Sequence, residues 1–166
     1  STSPYLAFSE ARAALNTTGP EASSSLLPST PARQAAWSGA LDAAALQAEA
    51  DANARDADAW GVAAMAWMEM GDDARAARAI EDGLLFFPGN VRLHLAQAYL
   101  AALAGDAPAT ALTQAESEAD ATTSDAVDQA TALVRGEAVE TDAAFVRAFL
   151  VPSEGSALYL RLTNRQ

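Results

Sequence analysis

The sequence predicts an all-α fold: a short solenoid-like array of stacked helical hairpins, ending in a C-terminal β-hairpin. Three observations carry that prediction. Of the 166 residues, 51% are apolar and alanine supplies much of that share. Alanine is the strongest helix former because it loses no side-chain entropy on ordering. Apolar residues recur near a 3.6-residue period through most of the chain. The helical stretches are punctuated by Gly-Asp and Pro-Gly-Asn turns at intervals that suit helix pairs. Bulky core residues are scarce, which suits a thin array better than a dense globule.

The elements follow in order. Residues 1–31 read as an N-terminal helix and a Pro/Ser-rich loop. In Ser3–Asn16, Leu6, Ala7, Ala11, Ala14 and Leu15 share one helical face, and "TTGPEASSSLLPSTP" is rich in helix breakers. Residues 32–136 read as the helical array. Its first stretch, Ala32–Ala54, places Trp37, Leu41, Ala44, Ala45 and Leu46 at helical spacing. After the polar "NARDADAW" a helix is expected from about Asp58 to Met70, stopped by Gly71. The next runs from about Asp73 to Phe87 and ends at Pro88-Gly89-Asn90. A third spans Val91–Ala104, stopped by Gly105-Asp106. A fourth begins near Ala107-Pro108, and Thr123 or Ser124 caps a fifth reaching Val134.

Residues 137–166 change period. "FVRAFLV" (145–151) alternates, and "ALYLRLT" (157–163) sets Leu158, Leu160 and Leu162 against Tyr159, Arg161 and Thr163. "PSEG" between them has turn chemistry. The expectation is a β-hairpin, or the start of a longer β segment. A helix from Thr141 to Leu150 is the competing reading.

Composition narrows the function. The formal net charge is −12, and no lysine occurs. Such a surface repels phosphates, so nucleic acid is not an expected partner. Without lysine there is no Schiff base or P-loop; without cysteine there is no thiol nucleophile or zinc–cysteine site. The single histidine, His94, lies between Leu93 and Leu95 and reads as a structural residue. Asp72-Asp73 and Glu81-Asp82 are sequence neighbours on turns and solvated faces, not a general acid–base pair. No catalytic residues, cofactor or metal are expected, and the protein is not expected to be an enzyme. No apolar run approaches the length of about 20 residues that spans a bilayer, so no membrane insertion is expected.

The best unit is 57–90. Trp60, Ala63-Ala64, Trp67, Gly71-Asp72, Ala76, Ile80, Gly83 and Pro88 fall in the order and spacing of W-x₂-L-G-x₂-Y…A-x₃-F…P. This stretch resembles a tetratricopeptide repeat, a helical hairpin of about 34 residues. The resemblance implies a spine of Trp60, Ala64, Trp67, Gly71, Ala76, Ile80, Gly83 and Pro88. It also implies a concave face carrying Asp58, Gly61, Met65, Met68 and Glu69. Flexible methionines flanked by acids suit an apolar or basic helix or peptide. The methionine cluster Met65, Met68, Met70 could suggest Cu(I), but its sulfurs leave the helix in diverging directions. The carboxylate-clamp class of these repeats uses lysine and asparagine; here Val62 stands at the asparagine position.

The stretch "LQAEADANARDADAW…MGDDARAARAIEDGLLFFPGNVRLHLAQAYLAALAGD" (46–106) is similar to the repeat region of bacterial c-type cytochrome maturation factors. That similarity implies a chaperone-like role in cytochrome c biogenesis, with the bacterial periplasm ahead of the cytoplasm as compartment. The functional expectation is thus a non-catalytic interaction module holding a peptide, helix or subunit during assembly of a bacterial complex. The alternatives are the cytochrome maturation factor itself and a structural accessory subunit docking through its C-terminal hairpin.

Overall fold

The computed structural model describes residues 30–165. The expected helix Ser3–Asn16 and most of the loop after it lie outside the described residues. Nine helices follow one another: α1 (Pro31–Trp37), α2 (Ala43–Ala52), α3 (Ala57–Glu69), α4 (Asp73–Phe86), α5 (Val91–Ala104), α6 (Ala109–Glu118), α7 (Ser124–Val134), α8 (Ala143–Arg147) and α9 (Ala157–Thr163), all among the described residues. The same residues contain no β-strand.

Local chemistry sets the boundaries. Asp42, Asp56, Asp72 and Asn90 each sit just before a helix and accept a hydrogen bond from a first-turn N–H. That satisfies donors which the helix itself leaves unpaired. Gly71 and Gly105 turn the chain out of α3 and α5 with φ of 82° and 79°, a region open to glycine at no steric cost.

Packing then follows the small residues. α3 pairs with α4 and α5 with α6, while α2 lies against α3. Ala64, Ala76 and Ala79 are buried between them. At Gly83 a Cβ would stand 2.6 Å from Cβ of Trp60, so only glycine permits this approach of α4 to α3. The first helices of successive hairpins are neighbours: α3 touches α5, and α5 touches α7. α9 touches all three. One continuous core therefore runs from Ala64 on α3 to Leu162 on α9.

The helical stretch expected over 32–54 consists of two helices. Ser38–Asp42 separates them, with Gly39 at φ 96° and Asp42 capping α2. One expectation is corrected: among the described residues the C-terminal β-hairpin is absent. Residues 145–151 instead complete α8 and a turn, and 157–163 form α9. The competing helix, Thr141–Leu150, comes nearer for that first half, although α8 is shorter.

The reason lies in how three leucines can be read. Positions i, i+2 and i+4 share one face of a strand, but i and i+4 also share one face of a helix. Leu158 and Leu162 are buried, whereas Leu160 is 46% exposed. Ser156 caps α9 by accepting from Tyr159 N, and Asp142 caps α8 by accepting from Ala144 N. An isolated hairpin would leave both strand edges open, and two strands alone are marginal in water. As a helix, α9 satisfies its backbone internally and buries two leucines, each worth about 1.5–3 kcal/mol relative to exposure.

Candidate functional site

The chain's own C-terminal segment packs back across α3, α5 and α7, against the side that the repeat resemblance assigns to a ligand. Arg92 Nε on α5 donates to Ala148 O at 2.8 Å, and Tyr99 Oη donates to Leu150 O at 2.8 Å. Glu69 on α3 accepts from Ala157 N at 2.7 Å and Leu158 N at 3.0 Å. Arg161 on α9 returns the contact, donating to Met68 O at 3.1 Å and pairing with both carboxylate oxygens of Asp73. Leu150, Val151, Leu158 and Leu162 fill the space between.

Each residue expected on that face has a defined place. Asp58 pairs with the buried guanidinium of Arg92 at 2.5 Å. Gly61 lies under the Arg92 stem, where a Cβ would meet Cγ at 2.7 Å. Met65 is 6% exposed and Met68 is fully buried. Glu69 is committed to the start of α9. These residues therefore face the C-terminal segment or the side chains that hold it. Met68 lies in the core while Met70 is 62% exposed, so the methionines occupy different environments. Among the described residues no group of three or more His, Cys, Asp or Glu side chains is arranged to hold a metal.

The spine residues are placed as follows. Trp60, Ala64, Ala76, Ile80 and Gly83 are buried. Trp67 is half-buried; its Nε1 donates to Gln47 Oε1 at 3.0 Å, and the Arg75 guanidinium lies 5.1 Å from its ring centroid. Gly71 forms the α3–α4 turn. Pro88 is exposed, and its carbonyl lies 2.6 Å from Nε2 of the buried His94.

An open cleft of about 390 Å³ remains at the edge of the covered face. Met65, Ala66 and Glu69 of α3 form its floor. Ala36, Trp37 and Leu41, from the α1–α2 corner, form one wall. Val146, Phe149, Val151, Pro152 and Leu158 form the other, with Ser153 at the exposed rim. Most of the lining side chains are apolar; Glu69 contributes a carboxylate and Ser153 a hydroxyl.

Two aromatic residues shape this cleft. The Arg147 guanidinium sits 4.6 Å from the Trp37 ring centroid, joining the two walls by a cation–π contact. Phe149 has φ 57°, a left-handed conformation that is unfavourable for an aromatic residue. Its ring packs on the cluster of Ala43, Leu46, Val62, Ala63 and Ala66. Leu150 N donates to Phe145 O at 3.0 Å, closing the turn around it. Burial thus holds a strained residue at the cleft wall.

Burial also pushes the Tyr99 phenol well above its ordinary value. The Asp73 carboxylate raises the affinity of Arg161 for its proton. Both groups keep the form in which they donate to the main chain at neutral pH.

Of the residues expected on the concave face, Met65 and Glu69 line this cleft; the rest of its lining was not singled out in the sequence as a site. Phe149 and Val151 lie in a stretch expected as a strand, and the α1–α2 corner lies inside the stretch read only as helical in pattern. The isolated arginine in "VRLHLAQAYL" was a usable signal, since an Arg among apolar residues needs buried acceptors. No helix among the described residues is long and apolar enough to cross a membrane. Comparison of the chain with protein-family models, with curated proteins and with solved structures yields no match.

Proposed function

We propose that the protein is a non-catalytic interaction module that takes up an apolar helix or peptide of a partner protein. The observation that carries this reading is the cleft itself. It is large enough for two or three bulky side chains, open to solvent, and lined mainly by apolar side chains, the usual make-up of a recognition pocket. Its one carboxylate, Glu69, is engaged by two backbone N–H groups, so the lining offers no nucleophile–base pair. The tetratricopeptide-like reading of 57–90 is supported by the stacked helical hairpins, but the usual peptide groove of that family is filled from within. The partner would therefore bind beside the groove, against Trp37, Met65 and Phe149.

Within this class, assembly of bacterial c-type cytochromes is the more particular proposal, and it rests on the resemblance of 46–106. The C-terminal helix of an apocytochrome, titrated by calorimetry, tests both levels. Micromolar binding that weakens about tenfold or more in Leu41→Asp supports the cleft. Binding unchanged by Leu41→Asp removes the cleft as the site, and no binding removes the cytochrome proposal. A docking strand, which the accessory-subunit alternative required, does not occur among the described residues.

A further inference from the structure

A second apolar surface lies at the end of α4, away from the cleft. In "EDGLLFFPG" the chain exposes Leu85 by 82% and Phe86 by 53%. Leu84 and Phe87 turn inward, onto the cluster of Ala50, Ala59, Trp60 and Leu93. The Phe86 ring is held in place: it stacks on Trp60 with centroids 6.1 Å apart and planes inclined by 10°. Phe87 flanks it, with centroids 6.4 Å apart. Trp60 is itself fixed, 4% exposed and donating from Nε1 to Ala54 O at 2.9 Å. A pre-set aromatic ledge with a leucine projecting beside it loses little side-chain entropy on binding, which is the character of an interface anchor.

The charges around it select the partner. Glu81 and Asp82 stand four residues before Leu85 and Phe86, so each lies one turn away on the same side of α4. Neither makes an ion pair or hydrogen bond among the described residues. Two arginines are near in sequence: Arg78, one turn further back on α4, and Arg55, next to Ala54. They do not reverse the balance of a chain whose net charge is −12. A second copy of the chain would bring like charge to like. We propose that the Leu85–Phe86 ledge docks a basic amphipathic helix, with leucine or phenylalanine against the ledge and lysine or arginine toward Glu81 and Asp82.

The test uses the full chain and a defined probe: a Leu/Lys amphipathic peptide of about 18 residues, with a Leu/Glu peptide of the same pattern as control. Fluorine NMR of protein labelled with 5-fluorotryptophan reads the Trp60 signal beneath Phe86. The Leu/Lys peptide is expected to shift that signal at micromolar concentration. Leu85→Ser/Phe86→Ser, which keeps every charge, should weaken the shift about tenfold or more, and so should Glu81→Gln/Asp82→Asn. All four side chains project from the surface or its edge, and circular dichroism checks that the variants remain helical. The proposal is overturned if the Leu/Glu peptide binds as well, if the apolar double variant binds like the parent, or if Trp60 does not respond at about 0.1 mM peptide. A parent dimer that the apolar variant dissolves would make a second copy the occupant, and would overturn it too.

Discussion

Arg92 and Tyr99, two helical turns apart on α5, hold the C-terminal segment by its carbonyl oxygens at Ala148 and Leu150. Tyr99 is fully buried, so its hydroxyl has no water to fall back on. Tyr99→Phe leaves Leu150 O without this donor and should cost about 1–2 kcal/mol in urea unfolding. The same residue gives a signed pH dependence. Its pKa is raised above the ordinary 10.0 in the folded state. Above about pH 10 the unfolded chain ionises while the folded chain does not, so stability falls as pH rises. In Tyr99→Phe that part of the alkaline decline should flatten. Gly83 makes the complementary case. Alanine there gains helix propensity but meets Trp60 Cβ at 2.6 Å and Leu93 Cδ2 at 2.9 Å. The clash should win, for a net loss of about 1–2 kcal/mol in the same measurement. Gly83 was legible in the sequence because a repeat spacing marks where helices meet. Arg92 signalled a need for buried acceptors, but not which ones, because Ala148 O lies 56 residues away.

At the scale of elements, the helices with local stop and start signals were read almost to the residue. Asp56, Asp72 and Asn90 cap α3, α4 and α5, and Gly71 and Gly105 end two of them. α9 was misread for the opposite reason. Its leucines fit either period, and a decisive part of its N-terminal capping comes from Glu69, 88 residues earlier. No local window contains that information. The assignment of α9 to Glu69 is testable by hydrogen exchange. Glu69→Ala should speed exchange at the Ala157 and Leu158 amides and destabilise the fold by about 0.5–2 kcal/mol, while Leu95 on α5 stays protected. Uniform protection across α9 in that variant would mean that Ser156 alone caps it.

For the molecule as a whole, the consequence is that a concave face expected to wait for a ligand is part of the core. The sequence carries the hairpins and the acidic surface, but not that segment 143–163 folds back across α3, α5 and α7. That folding-back leaves an apolar cleft between Trp37, Met65 and Phe149, and the binding proposal follows from it. The chain contains three tryptophans, and they report on separate regions: Trp37 in the cleft, Trp60 under Phe86, and Trp67 between α2 and α4. The most direct measurement is therefore fluorine NMR of the 5-fluorotryptophan protein during titration with an apolar-faced helix such as the apocytochrome C-terminal peptide. The account predicts that the Trp37 resonance moves with micromolar saturation while Trp67 stays in place, and that Leu41→Asp suppresses the movement. A Trp37 signal that stays fixed while the peptide binds would contradict it.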